Sequence, residues 1–124
     1  MYRAMGNGLR CLFEANHRGE SIYRDQARRY ADNPAMLMWY LWDEPNEGQA
    51  RELRDHNAWR HAFDKHHPTF IASCRPDLFK MHASFADVFA MDPYTSSAQA
   101  LEWCRRAQKE VAGDLHKPVV VIPW

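Results

Sequence analysis

Apolar and polar positions along this chain fall into blocks whose period switches between two and about three and a half residues. Residues 8–15, Gly8-Leu-Arg-Cys-Leu-Phe-Glu-Ala15, form a short apolar run opened by glycine, and Asn16-His-Arg-Gly19 is a polar turn. Ile22, Tyr23, Gln26, Ala27 and Tyr30 then recur on one helical stripe. Asp32-Asn-Pro34 stops that helix, because proline lacks an amide donor and restricts the residue before it. Met36-Leu-Met-Trp-Tyr-Leu-Trp42 is apolar at both alternating sets of positions, the pattern of a parallel strand buried on both faces. It breaks at Asp43-Glu-Pro-Asn-Glu-Gly48. A second helix is predicted from about Gln49 to Asp64, with Leu53, His56, Trp59 and Phe63 in a broad stripe.

Thr69-Phe-Ile-Ala-Ser73 reads as the third strand. Arg75-Pro-Asp77 opens a short helical or irregular link through Phe79 and Met81. Phe85 to Met91 reads as the fourth strand, closed by Asp92-Pro-Tyr94. Ser96 or Ser97 caps another helix, whose inner stripe is Leu101, Cys104, Gln108 and Val111 and which ends at Gly113. Pro118 to Ile122 is the fifth strand. The predicted class is α/β: about five parallel strands alternating with three to four helices in a single unit over residues 1–124. Two architectures fit, an open doubly wound sheet and a partial (β/α)8 TIM barrel. The only glycine pair, Gly6-Asn-Gly8, precedes a strand instead of following one, which counts against a nucleotide-binding open sheet.

Charge narrows the partners. Lysine plus arginine number 16 and aspartate plus glutamate 16, so the formal net charge is zero. That removes the simplest electrostatic case for a nucleic-acid or polybasic membrane partner, and predicts poor colloidal behaviour near pH 7. No apolar run reaches the length of a membrane span, and residues 1–10 lack the apolar core of a secretory signal; a cytoplasmic location is the default expectation. Cys11, Cys74 and Cys104 are odd in number and far apart, and read as small buried thiols.

In parallel α/β folds chemistry gathers where strands end. Those ends carry Glu14, Asn16 and His17; Trp42, Asp43 and Glu44; Ser73, Cys74 and Arg75; Asp92 and Tyr94; and Trp124. Carboxylates can protonate or attack a glycosidic bond, and flat aromatic faces suit the C–H faces of sugars. The stretch Trp39-Tyr-Leu-Trp-Asp-Glu-Pro45, preceded by Asp32-Asn-Pro-Ala-Met-Leu-Met38, resembles the fourth strand of clan A glycoside hydrolase barrels, which include the family 2, family 5 and family 42 types. Asp64-Lys-His-His-Pro-Thr69 is similar to the lead into strand five, Ala86 to Tyr94 to strand six, and Lys117-Pro-Val-Val-Val121 to strand seven. Gly8 to Asn16 then matches strand three.

The resemblance implies five consecutive barrel strands, three to seven, and Glu44 as general acid/base. It implies substrate contacts from Asp43, Trp42, Asn16, His17, Asp92, Tyr94 and Trp124, with no metal and no cofactor. Asp43 stands where the family usually has asparagine, so an ionised side chain there cannot donate to the sugar 2-hydroxyl. The second carboxylate of a retaining enzyme, expected after strand seven, is absent from Val119-Val-Val-Ile-Pro-Trp124. The expectation is a barrel fragment with an artificial start at Met1, inactive alone, which self-associates or takes up a complementing barrel segment. Two other readings stay open: a non-catalytic carbohydrate-binding remnant that stacks sugars on Trp42, Tyr94 and Trp124, and a purely structural half-barrel assembly unit.

Each candidate also has a plainer reading. Asp43 and Glu44 can serve as the acidic start of a helix. Trp39 and Tyr40 are core by spacing, and His56 is a core histidine on an apolar helical face. His61, His66 and His67 lack the HExxH arrangement of a zinc site. Cys74 and His82 could be a nucleophile and its base, but the sequence shows nothing that orients them. Asp87 reads as facing the polar end of the sheet or pairing with a basic residue.

Overall fold

A computed structural model describes residues 7–14 and 19–122. Five strands, β1 (Cys11–Glu14), β2 (Met36–Asp43), β3 (Thr69–Ser73), β4 (Val88–Met91) and β5 (Val119–Val121), alternate with four helices, α1 (Glu20–Tyr30), α2 (Ala50–Phe63), α3 (Phe79–Ser84) and α4 (Ser97–Ala107). A π-helical turn, Gln108–Gly113, extends α4. Every neighbouring strand pair is parallel, and the strands lie side by side in chain order. A doubly wound sheet reverses its strand order at a switch point. No reversal occurs here, so of the two architectures open to the sequence the structure takes the partial barrel.

Right-handed crossovers that always step in one direction place the helices on one face. That face carries the main core, where Leu41, Ile71, Phe89 and Met91 of the sheet meet Leu53, Phe79, Ala107 and Val111. The opposite face holds Phe70, Ala72, Val88 and Ala90, flanked by Met38, Tyr40 and Ile122. Strands β3 and β4 are buried at every residue, because they are central in the sheet and covered on both faces. The edge strands differ. Leu12 on β1 and Val120 and Val121 on β5 remain exposed, on strands with one neighbour each.

Several boundaries move. The fourth strand begins at Val88, not Phe85. Residues 85–87 form instead the turn between α3 and β4, where Lys117 Nζ donates to the carbonyls of Ala83, in the last turn of α3, at 2.8 Å and of Ala86 at 2.7 Å. A lysine at a helix C-terminus satisfies carbonyls that have no partner within the helix. Leu101, placed on the inner stripe by spacing, is 52% exposed, and Ala107 and Val111 carry that contact. The three cysteines are free and half-buried, not enclosed.

Candidate active site

The geometry of the site starts from a slip in the β2 ladder. Tyr40 pairs with Phe70 and Trp42 with Ile71, so β2 carries one extra residue, Leu41, at this point. A bulge of this kind re-aims the side chains after it. Tyr40 and Asp43, three apart, now share the face of Phe70 and Ala72, whereas strict alternation would separate them. The Tyr40 hydroxyl donates to Asp43 Oδ1 at 2.5 Å. Burial first, then this bond and the nearby charges of Asp43, Asp92 and Glu44, push the Tyr40 hydroxyl far above the usual phenol range. Tyr40 is a site residue the sequence reading left in the core; the signal available was its position opposite Trp39, on the other face of the strand.

Trp42 is turned by the same bulge toward the helix-side core, where its ring stacks on His56 at 5.3 Å and 28°. His56 is buried, as its place on the apolar face of α2 implied.

Glu44 follows the strand. Its amide donates to Ala72 O at 3.1 Å, which carries the β2–β3 pairing one residue beyond β2. Its φ is 48°, in the left-handed region that an L residue with a Cβ occupies at a cost of about 1–2 kcal/mol. Such strain collects at sites where the position of a side chain matters more than local stability. The helical start beyond it is capped by Asn46, whose side chain accepts from Gly48 N at 2.9 Å while Gln49 Oε1 accepts from Asn46 N at 2.7 Å. Asp43 and Glu44 are therefore not the caps of this segment.

From β3, the Cys74 thiol reaches the Glu44 carboxylate. Burial, the bond to Glu44 and the Glu44 charge together raise that thiol to about 11, so it is a neutral donor near pH 7 and not a thiolate nucleophile. His82 does not serve Cys74. Its Nδ1 lies 2.8 Å from Ser73 Oγ, and burial, with the Arg75 charge, lowers the ring to about 4. From β4, Asp92 is buried and accepts from Tyr94, whose hydroxyl is raised to about 12 by that bond, by burial and by the carboxylate charges around it. Asp43, Glu44 and Asp92 thus gather at one end of the sheet, and each is met by a neutral donor: Tyr40, Cys74 and Tyr94 respectively. Among the described residues no lysine or arginine pairs with them, and Arg75 is engaged by Asp77 at 2.6 Å. Asn16, His17 and Trp124 lie outside the described residues.

The remaining candidates sit elsewhere. Asp87 accepts from Thr69 N and Thr69 Oγ1 at 2.8 and 2.9 Å and from His61 at 3.2 Å, at the start of β3, opposite the carboxylate cluster. His67 Nδ1 lies 2.8 Å from Asp64. No group of three or more His, Cys, Asp or Glu among the described residues is arranged to hold a metal ion, and no helix among them is long and apolar enough to cross a membrane.

No family model and no curated protein matches this chain. Its fold is similar to that of a GH2 β-galacturonidase from Eisenbergiella tayi bound to galacturonate, with a TM-score of 0.67 and 18% identity over 82% of this chain and 20% of that one. A GH2 β-galacturonidase from the same organism bound to glycerol gives 0.66 and 19% over the same shares. A Bacteroides fragilis protein described as a candidate β-galactosidase gives 0.61 and 16%, over 90% of this chain and 18% of that one. At these identities the likeness establishes the fold: an incomplete (β/α) barrel of the kind found within GH2 proteins. The chain spans about a fifth of the length of the structures it matches.

Proposed function

We propose that this chain is a segment of a glycoside-hydrolase-type barrel whose carboxyl end addresses a carbohydrate, with Glu44 as the general acid/base. The observation that carries this reading is the convergence of Glu44, Asp43 and Asp92 at the carboxyl ends of β2 and β4, with Glu44 held on strained backbone against Cys74. In that role Glu44 delivers a proton to the glycosidic oxygen as the bond to the anomeric carbon breaks, and later withdraws one from the attacking water. Asp43, oriented by Tyr40, and Asp92, oriented by Tyr94, lie where sugar hydroxyls can donate to them. Three carboxylates with no paired cation disfavour an anionic sugar, so the ligand is read as a neutral one.

Glu44 and Asp43 are exposed among the described residues, so the dry walls that strengthen acid catalysis must come from elsewhere. Among the described residues, Val119–Ile122 carry no carboxylate to serve as the second of a retaining pair, which works about 5–5.5 Å from the first. A complementing barrel segment, pairing with the edges of β1 and β5, supplies both in this reading. The chain by itself therefore turns over no aryl glycoside.

Titration of the isotope-labelled chain with methyl β-galactoside and with galacturonate tests the site, followed by amide shifts near Asp43, Glu44 and Asp92. Saturable shifts with the neutral sugar, weakened by Asp92→Ala, support the reading. Absence of any sugar response favours a purely structural half-barrel. The exposed ring of Tyr94, 57% accessible beside Asp92, favours a second reading of sugar binding without catalysis. Aryl glycoside turnover abolished by Glu44→Gln would exclude that second reading and overturn the inactivity of the chain alone.

A further inference from the structure

The helices hand the chain back to the sheet at the end opposite the carboxylate cluster, and there α1 and the exit of α2 enclose a cleft of about 470 Å³. Its volume lies within the range of small-molecule sites. Arg24 and Arg28 stand one turn apart on α1, and Lys65 and His66 face them from the loop after α2. Ala27, Ala31 and Ala62 line the space between, and their small side chains leave it open. Neither Arg24, Arg28 nor Lys65 forms an ion pair or side-chain hydrogen bond among the described residues.

Two acids also line the cleft, and they do not neutralise it equally. Asp64 is 3% exposed, and its oxygens already accept from Trp39 Nε1 at 2.9 Å, from the amides of His66 and His67 at 2.9 and 3.2 Å, and from His67 Nδ1 at 2.8 Å. Its charge is further offset by the buried guanidinium of Arg60 one helical turn back. Asp32, exposed at the rim, is the other acid. Three cations and an imidazole therefore face one available carboxylate. The plain explanation, that basic residues complement a helix C-terminus, covers Arg28 in the last turn of α1. It does not cover Arg24, because the dipole effect fades within one turn of the end.

We propose that this cleft is a binding site for a phosphate group, free or carried as the ester of a small molecule. Guanidinium pairs match phosphate oxygens with parallel N–H donors, and a lysine adds a compact charge. The site is independent of the carboxylate cluster and of the function proposed for it.

The test uses the 124-residue chain, labelled with nitrogen-15 and titrated at fixed ionic strength with sodium phosphate, glucose 6-phosphate, glucose and sodium chloride. The expected result is saturable shifts of the Ala31, Asp32 and Lys65 amides with phosphate and with the ester, and none with glucose or chloride. Arg24→Gln combined with Arg28→Gln should weaken binding at least about tenfold while amide dispersion is kept. Lys65→Gln, in the loop, should weaken it about threefold and serves if the double variant fails to fold. Tighter binding of the ester assigns the ligand to phosphorylated small molecules, and equal binding assigns it to the phosphate ion. Shifts that chloride reproduces, that never saturate, or that survive the arginine or lysine substitutions overturn the proposal.

Discussion

Asp64 at the exit of α2 and Glu44 at the exit of β2 are both carboxylates at element ends, yet their surroundings have little in common. Asp64 is buried and takes four hydrogen bonds; burial alone would raise it, but the His66 amide, Trp39, and the side chain and amide of His67 together hold it below the usual carboxylate range. Behind it Arg60, fully buried, lies 3.9 Å from the Trp39 ring centroid and 4.0 Å from that of Tyr23. Glu44 is exposed, sits on left-handed backbone and meets one thiol. A carboxylate whose lone pairs are all engaged anchors a fold. One met by a single thiol leaves lone pairs open to another partner.

The contrast breaks most visibly at Arg60. Arg60→Ala empties the space between two aromatic faces and leaves the Gln26 side chain and the Tyr23 carbonyl without their donor. The expected loss is about 3–5 kcal/mol in urea unfolding, the range for truncating a large buried side chain and leaving a cavity behind. A loss under about 1 kcal/mol would mean that the stacked guanidinium is not part of what holds α1 and α2 to β2.

Asp64→Asn comes next, at about 2 kcal/mol near pH 7, since an amide cannot accept all four bonds. The sign with pH follows from the lowered folded value of Asp64. Its contribution is fully present above the unfolded value of about 3.9 and is lost as pH falls through the lower folded one. The stability gap between the native chain and this variant should therefore close below about pH 4, measured by urea titration at each pH. A gap that stays constant down to pH 2 would remove Asp64 from the set of engaged carboxylates.

Glu44→Gly should act in the other direction. Glycine occupies a φ of 48° without a Cβ clash, so the variant should gain about 1 kcal/mol. The same variant removes the carboxylate that helps to raise Cys74, so iodoacetamide should label Cys74 several-fold faster at pH 8.5, read by peptide mass. Loss of stability, or an unchanged labelling rate, would place Glu44 with Asp64 as a structural group.

Much of this was legible along the chain. The third strand, Thr69–Ser73, and the second helix fall within a residue of where the pattern puts them. The stripe of α1 is buried at Tyr23 and Ala27 as its spacing implies. These features depend on local period, and local period survives into any compact fold. Arg60 escaped notice because a charged residue in an apolar stripe looks like a solvated position. Only the two rings from α1 and β2, far away in sequence, make its burial tolerable. Tyr40 escaped because its role depends on the Leu41 bulge, which depends on pairing with β3. The net charge of zero likewise hid a separation, with carboxylates gathered at one end of the sheet and Arg24, Arg28 and Lys65 lining the cleft at the other.

The sequence by itself determined the alternation of strand and helix, the parallel class, and the placement of Asp43-Glu44 just where a buried strand stops. Those follow from the spacing of apolar side chains and from proline and glycine punctuation, which act over a few residues. The tertiary structure alone decided the sequential strand order, the face on which Asp43 lies, the aromatic seat of Arg60 and the company of each carboxylate. Those depend on which distant segments pair and in what register, and a shift of one residue in a strand moves every later side chain to the other face.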